Sequence, residues 1–174
     1  MKKLMFAVGT ILLLSAFAVY TSVSWKIADG YSVKFSSKDP SGVFTSLKGN
    51  ISFDERDLSA SKFDVTVDVA SINTGNGMKN QKALNDSWLD VAKYPTIKFT
   101  SNKITKTDKG YEAIGTLEMH GVKKQISIPF TFSNNTFIGS FEVNRTDFNV
   151  GSTKGMAGDA ASVLKIDLSV PVTK

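Results

Sequence analysis

His120, in the stretch GTLEMHGVKKQISIPFTF (115–132), is the only histidine in the 174 residues, and so the only side chain whose ordinary pKa suits proton transfer near neutrality. It stands without helpers. No GxSxG, HExxH, P-loop or CxxC pattern occurs, and Gly75-Asn76-Gly77 lacks the third glycine of a dinucleotide-binding turn. A histidine followed by glycine between two alternating apolar runs fits a tight hairpin, where glycine supplies the positive φ. The pattern therefore predicts an exposed turn and no catalytic or metal-binding role. The run Asp54-Glu55-Arg56-Asp57 falls between two strand patterns, where charges are ordinarily solvated; a metal site is the weaker alternative. Arg145 and Asp147, in FEVNRTDFNVGS, follow a strand pattern and precede a glycine-containing loop. They suit either a structural salt bridge or contact with the polar head of a ligand. Neither a nucleophile–base pair nor a metal set can be assembled from these residues, so a lipid-modifying enzyme is disfavoured and no catalytic residue is assigned.

The elements that must position these residues are read from alternation, the period-2 pattern of half-buried strands. Phe63, Val65, Val67 and Val69 form the longest clean stripe. Similar stripes run through Tyr31–Phe35, Leu47–Phe53, Ile97–Phe99, Tyr111–Met119, Ile126–Phe132, Phe137–Val143 and Leu164–Val172. With Trp25 to Ser37 counted as one strand, the pattern predicts eight strands, separated by turn signals such as Asp108-Lys109-Gly110 and Asn134-Asn135. Sequential strands joined by short turns predict an antiparallel meander, and closure into a barrel removes its edges. A two-sheet sandwich is the alternative. Lys34, Lys48, Lys98 and Lys165 on the polar faces suit bulk water, so the apolar stripes are expected to face inward. One segment departs from period 2. Gln81, Leu84, Trp88 and Val91 recur at helical spacing before Tyr94-Pro95, which predicts a short helical segment over about 78–92, either plugging one end of the barrel or walling a pocket.

MKKLMFAVGTILLLSAFAVYTS places two lysines ahead of an apolar run and then offers Ala16-Phe17-Ala18, the features of a secretory signal peptide. Residues 1–18 are expected to be that signal and 19–174 a single domain, periplasmic or secreted; retention of the segment as a membrane anchor is the alternative. The chain contains no cysteine, which excludes disulfides and thiolate metal sites and leaves the hydrophobic core to hold the fold. Net charge is +5, with lysines spread along the chain and never more than two in a row, so no basic block of the kind that binds nucleic acid is present.

Taken together, VKF and FTSLKGNISF near the start, WLDVAKYPTIKFTS, GTLEMHGVKKQISIPFTF, FEVNRTDFNVGS and the closing VLKIDLSVPV closely resemble the YceI-like family over about Trp25 to Val172. The resemblance implies an exported, lipocalin-like, eight-stranded antiparallel β-barrel that encloses a long apolar lipid, of polyisoprenoid, isoprenoid quinone or fatty-acyl type. Two departures stand out: NQKALNDSW replaces a segment where many members carry Arg-Asp and a histidine, and the position after Phe35 lacks the family's frequent histidine. The function implied is non-enzymatic carriage, storage or sequestration of that lipid outside the cytoplasm, and a barrel filled by its own side chains is the structural alternative. No cofactor is expected beyond such a bound lipid. The implied partner is the lipid itself, with transient membrane contact where it is exchanged; nucleic acid is not a partner, and the chain is compatible with a monomer or a homodimer. The lining is expected from Phe35, Leu47, Ile51, Phe53, Val65, Val67, Phe99, Leu117, Ile128, Phe130 and Phe141 on strands, and from Leu84 and Trp88 on the helical segment. Gly49, Gly115 and Gly139 are expected to leave room for the ligand, and Arg145 and Asp147 are the candidate head-group contacts.

Overall fold

The computed structural model describes residues 23–151 and 161–174, and the segment assigned above to the signal peptide lies outside them. Eleven β segments form one antiparallel sheet: β1 (Ser24–Ile27), β2 (Ser32–Ser36), β3 (Gly42–Phe44), β4 (Leu47–Ser52), β5 (Lys62–Asp68), β6 (Ile72–Asn73), β7 (Thr96–Thr107), β8 (Gly110–Met119), β9 (Val122–Ser133), β10 (Thr136–Asn144) and β11 (Val163–Thr173). Three pairs of these are halves of one bent strand. The β1/β2 strand breaks at a turn where Gly30 has φ +85°, the β3/β4 strand at Thr45-Ser46, and the β5/β6 strand at a 3₁₀ turn, Val69–Ser71, whose Ala70 N–H is met by the Asp68 carboxylate. Counted so, eight strands follow one another around the sheet in chain order, and β11 closes it by pairing with both halves of the first. Lys26 faces Thr173 at that seam, and Ile166 faces Phe35. The expected antiparallel eight-stranded barrel is therefore the fold, and closure leaves it without the edges a sandwich would expose.

Alternation sets the inside. On β8 the odd-numbered residues from Tyr111 to Met119 are buried and the even-numbered ones less so, and the same phase carries Phe130 on β9 and Phe137 and Val143 on β10 inward. Two hairpins hold this register. Asn134 and Asn135 both have positive φ (49° and 54°), as do His120 and Gly121 (51° and 74°), the handedness that matches the twist of tightly joined strands. His120 differs from expectation in one respect. It occupies the turn but is not exposed: its ring packs on Tyr94, with centroids 4.6 Å apart, and both ring nitrogens are buried without a hydrogen-bond partner among the described residues. Tyr94 belongs to the segment entering β7 and folds over the hairpin, so a Cβ at Gly121 would lie 2.7 Å from the Tyr94 ring.

The helix is shorter than its spacing predicts. It runs over Gly77–Leu84 (α1), with the Asn76 side chain accepting from the Lys79 N–H at 3.0 Å. After Leu84 the Asn85 side chain accepts from both the N–H and the hydroxyl of Ser87, a local alternative to helical hydrogen bonding that ends α1 and sends 85–93 into successive turns. The glycines also differ from expectation. A Cβ at Gly49 would lie 2.2 Å from the Asp64 carbonyl oxygen, and one at Gly115 2.3 Å from that of Thr100, so both are required by close approach of neighbouring backbones. Gly139 alone of the three borders the interior space.

Far from α1, the loop between β4 and β5 carries the acidic run. Asp54 is not simply solvated: it is only 7% exposed and accepts from the Arg56 Nε at 3.0 Å, Nη2 at 2.8 Å and backbone N–H at 3.0 Å. Those hydrogen bonds hold its carboxyl down to about 2. A carboxyl whose pKa is depressed on folding stabilises above its unfolded value and loses that contribution as pH falls through the folded one. Urea midpoints of the wild type should therefore fall between about pH 4 and pH 2 more steeply than those of Asp54→Asn. Parallel pH profiles for the two proteins would contradict this.

Candidate functional site

At the end of the barrel that holds the β7–β8 and β9–β10 turns, aromatic rings meet across the axis. Phe53, 1% exposed, has Tyr111, Phe132 and Phe137 at centroid distances of 5.1, 5.2 and 5.3 Å, mostly edge to face, with Phe130 at 5.7 Å and Phe63 at 6.3 Å. The Trp25 indole packs on Phe132 and donates its N–H to the Phe53 carbonyl at 2.9 Å. This end is a floor. Above it the interior is not filled, and a cavity of about 400 Å³ runs toward the opposite end. An apolar void of about 150 Å³ already admits benzene, and small-molecule sites begin at about 300 Å³, so the space suits a ligand.

Most of the predicted lining residues border this cavity. Phe35, Leu47, Ile51, Val65, Val67, Phe99, Leu117, Ile128, Phe130 and Phe141 do so from the strands, and Trp88 does so from the turns after α1. Two do not. Phe53 lies past the last residue of β4 and belongs to the floor, where rings fill the axis. Leu84 packs against the core without bordering the cavity, because the helix ends there and the following turns bring Leu89 in its place. Helical spacing could not have found Leu89, which is out of phase with Leu84 and Trp88. Ala83, Lys79 and Lys82 of α1 also border the space, and the i, i+3 spacing of the two lysines was the available signal for them.

The mouth is built by α1, the turns after it, the β2–β3 loop and the segment after β10. The last of these folds as a 3₁₀ turn over Arg145–Phe148, capped by the Asn144 side chain accepting from the Thr146 N–H at 3.2 Å. At about three residues per turn, residues two apart point to different sides. Arg145 turns inward, 2% exposed, while Asp147 turns outward and pairs with Lys124 of β9 at 3.6 Å. The two therefore form no salt bridge with each other, and only Arg145 reaches the cavity. Its guanidinium lies 5.0 Å over the Trp88 ring, and donates from Nε to the Ala161 carbonyl at 3.0 Å and from Nη1 to that of Val150 at 2.7 Å. Burial pushes its pKa below the ordinary arginine value, yet a guanidinium stays charged in proteins. Gly151, at φ +70°, is fixed by this arrangement, since a Cβ there would lie 2.8 Å from Arg145 Nη1 and 3.0 Å from the indole. Asp39, Pro40 and Thr74 complete the rim, with Asp39 paired to Lys79 at 2.9 Å.

Solved structures share this architecture. Burkholderia cenocepacia BcnA superposes with a TM-score of 0.76 at 27% identity, covering 83% of this chain and 96% of that one. The Campylobacter jejuni YCEI protein superposes with a TM-score of 0.67 at 21% identity over 97% and 99% of the two chains. A polyisoprenoid binding domain from Saccharophagus degradans gives 0.59 at 17% identity, covering 86% and 97%. In sequence, a UPF0312 protein of Pseudomonas putida is 32% identical over 157 residues, 86% of this chain and 78% of the relative. Residues 19–172 match the YceI-like domain, and with the barrel, its cavity and these relatives in view, the chain belongs to the YceI-like family.

Proposed function

We propose that this barrel is a non-catalytic carrier that houses one long apolar lipid tail, entering tail first, outside the cytoplasm. The observation that carries the reading is a cavity of about 400 Å³, apolar along its length, closed at one end by packed aromatic rings and charged only at the other. A tail gains about 0.8 kcal/mol per methylene removed from water, so roughly ten buried carbons supply about 8 kcal/mol before ordering costs. That is enough for retention without a polar group deep inside. The void also argues against a barrel filled by its own side chains. The polar lining among the described residues is Asp39, Thr74, Lys79, Lys82 and Arg145, a set that offers charge and hydrogen bonds but no nucleophile paired with a base. The related fold of a polyisoprenoid binding domain supports a prenyl or similar tail as the class of ligand. The basic and apolar N-terminus supports export.

The reading is tested with delipidated full-length chain titrated with geranylgeraniol, a neutral prenyl alcohol, while tryptophan emission is followed. Trp88 borders the mouth and Trp25 the floor, so emission should change and saturate at about one tail per chain. An unsaturable or absent change would overturn it.

A further inference from the structure

The interior changes from aromatic rings to small side chains in one step, and it does so on several strands. Along the inward face of β5 Phe63 is followed by Val65, on β8 Tyr111 is followed by Ala113, and on β10 Phe137 is followed by Gly139. Val65, Ala113 and Gly139 all border the open space. On the ring side Phe63, Phe130 and Phe137 border it too, and they touch one another across the axis, with centroids 5.3, 5.4 and 5.9 Å apart. These are contact separations for aromatic pairs, so no methylene chain passes between the rings. Phe53 closes the axis behind them, its ring 6.3, 5.7 and 5.3 Å from those of Phe63, Phe130 and Phe137. Phe63 and Val65 point inward yet are only partly buried, because their free surface faces the cavity.

We propose that this step is a gauge of tail length: the barrel selects lipids whose tail fills the space down to Phe63, about twelve to sixteen carbons, and gains nothing from carbons beyond that number. This rests on the lipid-housing reading above and adds the length of the tail. An apolar void of about 150 Å³ holds the six carbons of benzene, about 25 Å³ for each, so a cavity of about 400 Å³ holds roughly sixteen. The space nearest the mouth is shared with the ligand's head, which sets the lower figure. Each methylene taken out of water into the cavity tightens binding about fourfold. Once the tail end meets the floor, a further methylene is left at the mouth in water and contributes nothing. A long polyprenyl chain is therefore held by one end, with its remaining units outside the barrel.

The test equilibrates delipidated full-length chain with a silicone reservoir carrying an equal mixture of straight-chain alcohols from 1-octanol to 1-icosanol, and quantifies the protein-bound alcohols by mass spectrometry against those left in the silicone. The reservoir removes every carbon from water, so the ratio of bound to reservoir alcohol should stay nearly level while the cavity still takes the whole tail. Past about twelve to sixteen carbons it should fall about fourfold for each added carbon. Phe63→Ala removes a ring that the surroundings refill only in part, and should move the onset of the fall up by about two to four carbons. Val65→Phe places a ring in open space one inward position above the floor, and should move it down by about as much. That variant leaves the floor intact, so it decides the matter if Phe63→Ala does not fold. A ratio that stays level through 1-icosanol, or an onset below 1-decanol, overturns the gauge while leaving the lipid-housing reading intact. An onset unmoved in folded Val65→Phe overturns its placement at the floor. Retention of none of the alcohols overturns the lipid-housing reading itself.

Discussion

Val67→Trp is expected to give a folded barrel that no longer takes up a tail. Val67 lies on β5 between Leu47 of β4 and Ile97 of β7, and its side chain borders the cavity. In a filled core the added volume would cost about 1–3 kcal/mol through strain. Here the indole has empty space to enter, so the cost to folding should be at the low end while the cost to binding is large. Affinity for geranylgeraniol should drop by about a hundredfold or more, the equivalent of roughly 3 kcal/mol, with circular dichroism still reporting β structure. A folded variant with wild-type affinity would put the ligand somewhere other than the barrel interior.

Phe53→Ala carries the largest expected loss of stability, about 3–5 kcal/mol. Phe53 is 1% exposed and lies at the centre of the floor, within 5.1–5.3 Å of three aromatic centroids. Removing its ring leaves a cavity that Tyr111, Phe132 and Phe137 cannot fill without giving up their edge-to-face contacts, each worth about 0.5–1.5 kcal/mol beyond area burial. Urea denaturation should show the loss as a lower midpoint at an unchanged slope. A loss below about 1 kcal/mol would mean that the floor relaxes easily and does not close the barrel.

The barrel was legible because each strand announces its buried face locally. Val65 and Val67 alternate with Thr66, and Phe137 and Val143 keep one phase across β10, so neither identity nor direction needed long-range information. What alternation does not carry is depth along the axis. Phe53 and Ile51 have the same inward phase, yet one belongs to the floor and the other to the cavity wall, a difference set by which rings arrive from β8, β9 and β10. The three strand glycines illustrate a second limit. An absent side chain at Gly49 or Gly115 accommodates a neighbouring backbone, whereas at Gly139 it borders open space, and sequence alone does not distinguish the two. His120 was recognisable as a turn residue, but its cover comes from Tyr94, which reaches it only through the tertiary fold. The mouth was the least legible part. Leu84 and Trp88 fit one helical face, but Asn85 and Ser87 bonded to each other, ended the helix and changed which side chains turn inward. Arg145 was recognised by type and place, while its separation from Asp147 follows from the tight pitch of a 3₁₀ turn.

The most direct test of tail housing is the lipid content of the protein as purified. The full-length wild type and Val67→Trp should be prepared alike, extracted with organic solvent, and the extracts quantified by mass spectrometry against protein. Wild type is predicted to release about one long-chain lipid per chain, and Val67→Trp almost none. A folded wild type that releases no lipid and takes none up on titration, or a folded Val67→Trp that releases as much as wild type, would contradict the account.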